Sequence, residues 1–292
     1  MLVEKNREIP GKEVENMNLK ALAYKLRKDT VDIICSGKAG HIGGDMSVME
    51  ILTELYFCQM KIDPANPEDE ERDLFVLSKG HSMEAYYAVL SEKGFLDKAD
   101  VMQRFSKFQS PYIGHPNNKL PGIEMNSGSL GHGLPVCVGM AKAIKMDKKD
   151  RRVYVVMGDG ELAEGSVWEG AMAAHQYKLD NLCAVIDRNR LQISGNTEDV
   201  MGHDDLHERI RSFGWHVIDV KDGNDIDQLN AAFEEAKTVK GKPTAVIANT
   251  VKGCGSSVME NKANWHHKVP TQEEYDQIIA DFAARKEAAL HE

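Results

Sequence analysis

The sequence predicts an α/β fold in which a mostly parallel sheet carries helices on both faces. Between residues 152 and 248, short apolar segments alternate with longer segments of helical periodicity. This alternation is typical of βαβ units, whose crossovers place helices against parallel strands. No linker rich in Pro, Gly or Ser divides the 292 residues. We therefore expect a single domain over residues 1–292, with a helical N-terminal extension and a C-terminal helix.

The first part of the chain is mainly helical. Apolar residues recur near the 3.6-residue period and predict a helix over 17–34. Ser47 is followed three residues later by Glu50, which is the spacing of a capping box, and predicts a second helix that runs to Cys58. The apolar segment 74–78 has the length of a short buried strand.

From residue 82 onward, helices and strands alternate. A helix is predicted over 82–93, and a final helix over 272–290 is polar enough to be partly exposed. Between them, apolar segments bounded by turn residues predict strands, and segments of helical period predict the connecting helices. The strands are 152–157, 182–186, 216–220 and 243–248, and the helices are 166–175, 204–213 and 225–237.

Composition excludes several classes of function. The chain has 46 acidic and 36 basic side chains, and its formal net charge is −10. Because the basic residues are scattered among acids, we expect no nucleic-acid surface. The N-terminus lacks the apolar core of a signal peptide, and no segment has the roughly 18 apolar residues of a membrane span. The five cysteines have no zinc-site spacing, so we expect a reduced, cytoplasmic protein.

A Gly-Asp-Gly sequence follows the second predicted strand. Gly158 and Gly160 let the backbone turn sharply, so that Asp159 lies at the carboxyl edge of the sheet. Thirty residues later Asn189 follows the next strand and reaches the same edge, with the Leu191 carbonyl two residues beyond. These oxygen ligands suit Mg²⁺, which usually completes its octahedron with water and a ligand phosphate. The pattern therefore predicts a site for a diphosphate bridged by Mg²⁺.

This segment resembles the thiamine diphosphate motif, which opens with Gly-Asp-Gly and closes about thirty residues later with asparagine. Its amino-acid sequence is similar to that of transketolases. A full transketolase is more than twice as long as this chain. The chain thus resembles the N-terminal subunit of a split transketolase. The segments that carry the resemblance are GDGELAEGSVWEGAMAAHQYKLDNL from residue 158, SGKAGHIGG at 36–44, LSKGH at 77–81, GHPNNKLPGIEMNSGSLGHGL at 114–134 and VKGCGSSVMENKANWHHKVP at 251–270.

The resemblance implies the diphosphate-binding half of the thiamine diphosphate fold, with that cofactor and Mg²⁺, or Ca²⁺ or Mn²⁺ in its place. It assigns metal ligation to Asp159, Asn189 and the Leu191 carbonyl. Four histidines would line the substrate channel and act in catalysis: His41, His81, His115 and His266. Contacts to the cofactor fall on His81, Gly128, Ser129, Leu130, Gly160, Glu164, Asn189, Ile193 and His266, with Glu164 also at the interface between subunits.

Two positions depart from the pattern of the family. The family commonly has glycine after the asparagine, and this chain has Arg190. If that position needs a positive φ, arginine costs roughly 1 kcal/mol or more of strain. The loop at His41 has Ile42 where the family has proline. Both departures bear on the shape of loops that border the predicted site.

By resemblance, the expected activity is transfer of a two-carbon ketol unit from a ketose, usually phosphorylated, to an aldose. The glutamate that activates the cofactor belongs to the pyrimidine-binding half in transketolases, so a C-terminal partner subunit is implied, with two copies of each chain. Two alternatives remain: the alpha subunit of a 2-oxo-acid dehydrogenase, and a non-catalytic partner of the same fold. The sequence leaves open which sugar phosphates or other anionic sugars are the substrates.

Overall fold

A parallel five-stranded sheet forms the centre of the protein. The structure, a computed structural model, describes residues 17–291. In the sheet the strand order is β1-β2-β3-β7-β6, and every neighbouring pair is parallel. Two very short strands, β4 and β5, form a separate antiparallel hairpin. The strands are β1 Leu74–Leu77, β2 Val153–Gly158, β3 Leu182–Asp187, β4 Leu191–Gln192, β5 Gly195–Asn196, β6 His216–Val220 and β7 Thr244–Ala248.

The helices of the described residues precede the sheet, connect its strands and follow it. They are α1 Leu19–Gly37, α2 Ile42–Ser47, α3 Met49–Glu54, α4 Met83–Lys93, α5 Lys98–Arg104, α6 Gly133–Met146, α7 Gly165–Gln176, α8 Thr197–Met201, α9 Leu206–Ser212, α10 Ile226–Thr238 and α11 Gln272–Leu290. A π-helical turn extends α3 over Leu55–Gln59, and 3-10 turns occupy Gly160–Ala163 and Ala263–Trp265.

Alternate residues of each strand pack into separate cores on the two faces of the sheet. Tyr154 and Val156 of β2 pack with α3, α4 and α10. Val153 and Val155 point to the other face and pack with α6, α7 and α9. Because side chains of a strand alternate between faces, a strand buried on both sides is apolar throughout, as β2 is. The predicted fold class, a parallel sheet with helices on both faces, is confirmed.

Helix α1 is longer than the predicted helix and is shifted toward its C-terminus. Asn18 caps it by accepting a hydrogen bond from the main-chain N–H of Ala21 (2.9 Å), so the helix begins at Leu19. It continues to Gly37 and ends where Lys38 adopts a left-handed conformation, with φ 55°. Apolar period alone did not reveal this last turn, because its residues are only partly buried.

The predicted capping box is wrong. Ser47 is the last residue of α2, and its hydroxyl lies 2.7 Å from the carboxylate of Asp187. The Glu50 carboxylate is engaged by the buried guanidinium of Arg27, with its Oε2 at 2.7 Å from Nη2. Ser47 thus bonds to the carboxylate of Asp187 at a strand end, and Glu50 belongs to a buried ion pair, so neither side chain caps a helix. The predicted helix is found as α3 and the π-helical turn, whereas α2 lies before it and was not predicted.

The sequence analysis did not predict α5, α6, α8 or the β4–β5 hairpin. Helix α6 begins in a glycine-rich loop, and its first turn contains Pro135. Proline is tolerated there, because the first main-chain N–H groups of a helix have no intrahelical partner. In contrast, α11 was predicted with the correct ends, and it buries only Ile278, Phe282 and Ala289.

Cys137, Cys183 and Cys254 are buried. Burial raises the pKa of the Cys254 thiol to about 12, so it stays protonated near neutral pH. No helix of the described residues combines the length and apolarity needed to cross a bilayer.

Candidate cofactor and substrate site

Asp159 is held by main-chain groups at the carboxyl edge of the sheet. It follows β2, whose last residue pairs with Asp187 of β3. Its Oδ1 accepts from the Gly160 N–H (2.8 Å), and its Oδ2 accepts from the Arg190 N–H (2.7 Å) and the Thr197 hydroxyl (3.2 Å). Burial, with the Asp187 charge nearby, raises the pKa of this carboxyl. The carboxylate therefore has a fixed position between the loops that follow β2 and β3.

Asn189 lies beside Asp159 and is also buried. Its Oδ1 accepts from the Leu191 N–H (3.1 Å), and its Nδ2 lies 3.3 Å from the Ser47 hydroxyl. The main-chain carbonyl of Leu191 accepts from the Lys252 ammonium (2.8 Å). These three residues, to which the sequence analysis assigned metal ligation, all line one cavity of about 310 Å³.

Two buried lysines that the sequence analysis did not single out face this cavity. Lys79 forms an ion pair with Asp187 and donates to the Gly44 carbonyl (3.1 Å). Lys252 lies 2.8 Å from His266 Nδ1 as well as from the Leu191 carbonyl. Burial, with the charge of Lys79, lowers the pKa of Lys252 to about 8. Both lysines lie inside motifs that carried the resemblance, and a lone lysine gives no signal beyond that.

Asp187 anchors the floor of the site. Its side chain is fully buried and accepts from Lys79, from Ser47 (2.7 Å) and from Thr250. The sequence analysis assigned no role to this residue. Instead, one carboxylate connects α2, the loop after β1, and the segment after β7.

The four predicted histidines meet around His41. Its ring centroid lies 5.4 Å from that of His81, 6.1 Å from His115 and 5.7 Å from His266. His267, which the sequence analysis did not select, is closer still at 4.6 Å. The Nδ1 of His41 is buried and has no hydrogen-bond partner among the described residues. Four loops distant in sequence thus contribute imidazoles to one cluster.

Burial keeps the four predicted imidazoles, those of His41, His81, His115 and His266, neutral. It lowers the pKa of His41 to about 4 and that of His266 to about 3, with neighbouring histidines and Lys252 adding to the effect. Burial also lowers the pKa of His81 well below its ordinary value and, to a smaller extent, that of His115. A neutral imidazole has one N–H donor and one acceptor nitrogen. The cluster can therefore donate to and accept from hydroxyl groups at neutral pH without carrying charge.

The predicted cofactor-contact residues of two loops differ in how exposed they are. Gly128 has φ 137°, and a Cβ there would come within 2.7 Å of His115 Cδ2, so this loop passes directly against the imidazole. Leu130 is half-buried and lines the cavity, while Ile193, 76% exposed, lines it from the other side. Ser129 is exposed beside Leu130.

Glu164 is exposed at the N-cap position of α7, and its side chain makes no capping hydrogen bond. The nearby Glu161, which sequence analysis missed, is buried and lines the cavity. It accepts from the N–H groups of Gly131 (2.9 Å) and Gly158 (3.1 Å) and from the Ser78 hydroxyl. Glu161 thereby ties three loops of the site together, and burial raises its pKa.

Arg190 adopts the left-handed conformation, with φ 64°. The strain considered for this position is therefore present, and the same geometry turns its N–H toward Asp159. Ile42 is fully buried as the first residue of α2. On the far side of Asp159, the buried His203 donates from Nε2 to the main-chain carbonyl of that residue (2.8 Å).

A Gly-Asp-Gly turn and an asparagine that converge over a cavity at the carboxyl edge of a parallel sheet define the class of α/β domains that bind a diphosphate cofactor. Comparison with known proteins gives the family. Residues 19–287 match the family model described as transketolase, thiamine diphosphate binding domain. The chain belongs to this family, and the thiamine diphosphate-binding fold is confirmed.

Similar proteins include subunits of transketolases. One of the subunits of apulose-4-phosphate transketolase from Phocaeicola vulgatus is 48% identical over 275 residues, which are 94% of this chain and 96% of the relative. The 6-deoxy-6-sulfo-D-fructose transketolase subunit SqwG from Clostridium sp. is 39% identical over 270 residues, which are 92% of this chain and 97% of the relative. The crystal structure of Campylobacter jejuni transketolase aligns with TM-score 0.85 at 27% identity, over 93% of this chain and 45% of that one.

These findings identify a transketolase subunit. The relatives named as subunits have nearly the length of this chain, whereas the C. jejuni enzyme is more than twice as long. The prediction of a split transketolase is confirmed. The two alternatives, the alpha chain of a 2-oxo-acid dehydrogenase and a non-catalytic partner, are not favoured. The residue roles stay predictions.

Proposed function

We propose that this subunit holds thiamine diphosphate through Mg²⁺ bound by Asp159, Asn189 and the Leu191 carbonyl. The observation that supports the proposal is the convergence of these three oxygen donors on one cavity. An all-oxygen set suits Mg²⁺, and Ca²⁺ or Mn²⁺ would be accepted in its place. The same cavity contains a buried Gln192 Nε2 that has no partner among the described residues, so the wall offers an unused donor to a ligand.

Charge complementarity supports the diphosphate end of the site. Lys252 brings a buried ammonium to the Leu191 carbonyl, and Gly158 and Gly160 line the same cavity. Lys79 is already neutralised by Asp187, so Lys252 is the cation better placed to offset the charge of the anion. We propose that His81 and His266 also face the diphosphate, since His266 shares its Nδ1 contact with Lys252.

Bound thiamine diphosphate would supply the nucleophilic carbon and the electron sink for breaking the bond next to the ketose carbonyl. The chain's own part is to orient the sugar. His41, His81, His115 and His266 are neutral at pH 7 and present both donors and acceptors, which is what a row of sugar hydroxyls requires. The unpartnered Nδ1 of His41 is a position where a hydroxyl would complete the hydrogen bonding.

We further propose that the partner is a C-terminal subunit with the pyrimidine-binding half, in a heterotetramer with two copies of each chain. The half-exposed Leu130 and the exposed Ile193, which line the cavity, support this, as does the exposed Glu164 close to Gly131, because a docked domain would cover them. The substrates would be a ketose donor and an aldose acceptor that carry an anionic group. Two relatives are named for apulose 4-phosphate and 6-deoxy-6-sulfo-D-fructose, which makes these sugars the first to screen.

The test of the metal site is calorimetric. With the partner subunit present, wild type is expected to bind thiamine diphosphate in Mg²⁺ and to lose binding in EDTA. Asp159→Ala removes a metal ligand, and we expect it to weaken Mg²⁺-dependent binding at least about 100-fold, which is roughly 2.7 kcal/mol. Asp150→Ala, at an exposed aspartate away from the cavity, is the matched control and should bind as wild type. Unchanged affinity in Asp159→Ala would contradict the assignment.

A further inference from the structure

Two buried carboxyl groups lie beneath the histidine cluster, and the proposed function does not use them. Asp45, in the first turn of α2, has no exposed surface, and Glu84, in the first turn of α4, is 1% exposed. Neither takes part in an ion pair within the described part of the chain. Lys79 is the cation whose charge reaches Asp45, but its ammonium contacts Asp187. Two carboxyls are thus buried together without a cation of their own.

Hydrogen-bond accounting shows what the pair needs. Asp45 Oδ1 accepts from the Ala85 N–H (3.1 Å), whereas Asp45 Oδ2 and Glu84 Oε2 are buried with no partner among the described residues. Because Asp45 bonds to the main-chain N–H of Ala85, the residue directly after Glu84, the two carboxyl groups are neighbours in the structure. Two ionised carboxylates are both acceptors and cannot bond. A single proton between them would convert one into a donor and satisfy both orphaned oxygens.

The electrostatic surroundings agree with this accounting. Burial raises the pKa of both carboxyls, and the like charge of Asp45 raises that of Glu84 further. The other groups that face the pair are the His41 main chain, Lys79 and, one turn along α4, the phenol of Tyr87, whose pKa Glu84 helps to raise.

The pair is placed where it can set the spacing of the histidines. His41 is the N-cap of α2, and His81 comes just before Ser82, the N-cap of α4. Asp45 reaches from α2 to the first turn of α4, because it accepts from the Ala85 N–H. Glu84 Oε1 also lies 3.9 Å from where a Cβ on Gly114 would stand, next to His115. One carboxyl pair therefore contacts or faces all three segments that carry these imidazoles.

We propose that Asp45 and Glu84 share one proton and act as positioning residues that fix the spacing of His41, His81 and His115. The proposal rests on the proposed role of these histidines in holding the sugar. The shared proton itself does not depend on that role, so the two ideas can fail separately.

Infrared spectroscopy tests the shared proton on the full chain, without any activity. Wild type at pH 7 is expected to show a carboxylic-acid C=O band that shifts in D₂O. Glu84→Gln should remove the band, since its amide donates permanently to an ionised Asp45. Glu54→Gln is the matched control, because Glu54 is also buried with an oxygen that has no partner among the described residues but lies away from the histidines. The band that Glu84→Gln removes should remain in Glu54→Gln. Absence of any such band difference between wild type and Glu84→Gln would overturn the shared proton.

Kinetics of the complex with the partner subunit test the positioning. Glu84→Leu has no donor, so the histidine loops should shift, and kcat/KM should fall about tenfold or more while thiamine diphosphate affinity stays within about twofold. Glu84→Gln keeps the connection and should retain kcat/KM within about threefold at pH 7. At saturating thiamine diphosphate, where the charge of Lys252 does not limit activity, it should also lack the loss of kcat/KM expected of wild type at alkaline pH, when the shared proton leaves and two charges repel.

The outcomes separate cleanly. Wild-type kcat/KM in Glu84→Leu, or a loss in Glu84→Gln as large as in Glu84→Leu, would overturn the positioning role. Thermal unfolding is measured first for each variant. If Glu84→Leu does not fold, the loss of kcat/KM at alkaline pH decides. Persistence of this loss in Glu84→Gln overturns the proposal, and its disappearance in that variant supports the proposal.

Discussion

At the scale of single residues, the site depends on burial that changes the protonation of ordinary side chains. His41 and His266 have pKa values of about 4 and 3, so neither carries charge at neutral pH. Lys252 has a pKa of about 8, low for an ammonium, because it is buried and lies near Lys79. Positive charge in the cavity is therefore concentrated in lysines rather than in the imidazoles that outnumber them.

Lys252 predicts a pH dependence for cofactor affinity. Its charge is present below a pKa of about 8 and lost above it, so affinity of the complex for thiamine diphosphate should fall as pH rises through 8. Lys252→Arg stays protonated and should move this loss to higher pH, whereas Lys252→Met should bind about tenfold more weakly at pH 7. Calorimetry at fixed Mg²⁺ measures both, with Lys148→Met, at an exposed lysine, as control. A flat wild-type profile across pH 8 would contradict the prediction.

Arg190 predicts a difference between two small substitutions. At φ 64° any residue with a Cβ is strained by about 1–2 kcal/mol, and glycine avoids this but costs about 0.4–1 kcal/mol of unfolded-chain entropy. Arg190→Gly should therefore be more stable than Arg190→Ala by about 0.5–1 kcal/mol, since both lose the same contact of the guanidinium with Asn249. Urea unfolding compares the two. Equal stability of the two variants would mean that the left-handed conformation is absent in solution.

At the scale of elements, the sequence predicted the strands better than the loops and short helices. Strand β2 was predicted over 152–157 and is found at Val153–Gly158, because a strand buried on both faces is apolar from end to end. Helix α6 was missed, since its glycines and Pro135 have low helix propensity and packing against β2 and α7 overrides it. Tertiary contacts stabilise helix α6, and a single sequence does not reveal such contacts.

The candidate site follows the same rule. Asp159 and Asn189 were found because each directly follows a strand, and strand ends of a parallel sheet meet at one edge. Glu161 and His267 were missed: their functions in the structure depend on loops that are distant in sequence. The sequence also placed Ser47 and Glu50 in a local motif, whereas both bind partners far along the chain.

The loop at Gly128 gives a prediction at this scale. Gly128→Ala places a methyl group 2.7 Å from His115 Cδ2, so the loop and the imidazole must separate. We expect kcat/KM of the complex to fall about tenfold or more, because displacement by even 1 Å is costly in a preorganised site. Gly241→Ala is a matched control: it also has a positive φ, 74°, but nothing lies within 4 Å of its Cβ. Full activity of Gly128→Ala would show that this approach is not needed.

At the scale of the whole molecule, the cavity is open on the side where Leu130 and Ile193 lie. We predict that the purified chain has no ketol-transfer activity and gains it when the C-terminal subunit is added. Ile193→Asp should weaken that association about tenfold, because a charge replaces an apolar contact, and Leu290→Asp, at an exposed residue near the end of α11, should not. Light scattering and a coupled assay of the mixed subunits measure both. Full turnover by the isolated chain would disprove the need for a partner.

The strand order has a consequence for how this subunit is made. In the described part of the chain, the edge strand β1 pairs with β2 alone. Leu74 therefore cannot form its strand pairing until Val153 has been synthesised. During synthesis on the ribosome, the nascent chain therefore exposes this apolar strand until more than half of the polypeptide has emerged. Such long-range parallel pairing slows folding and leaves the growing chain open to aggregation.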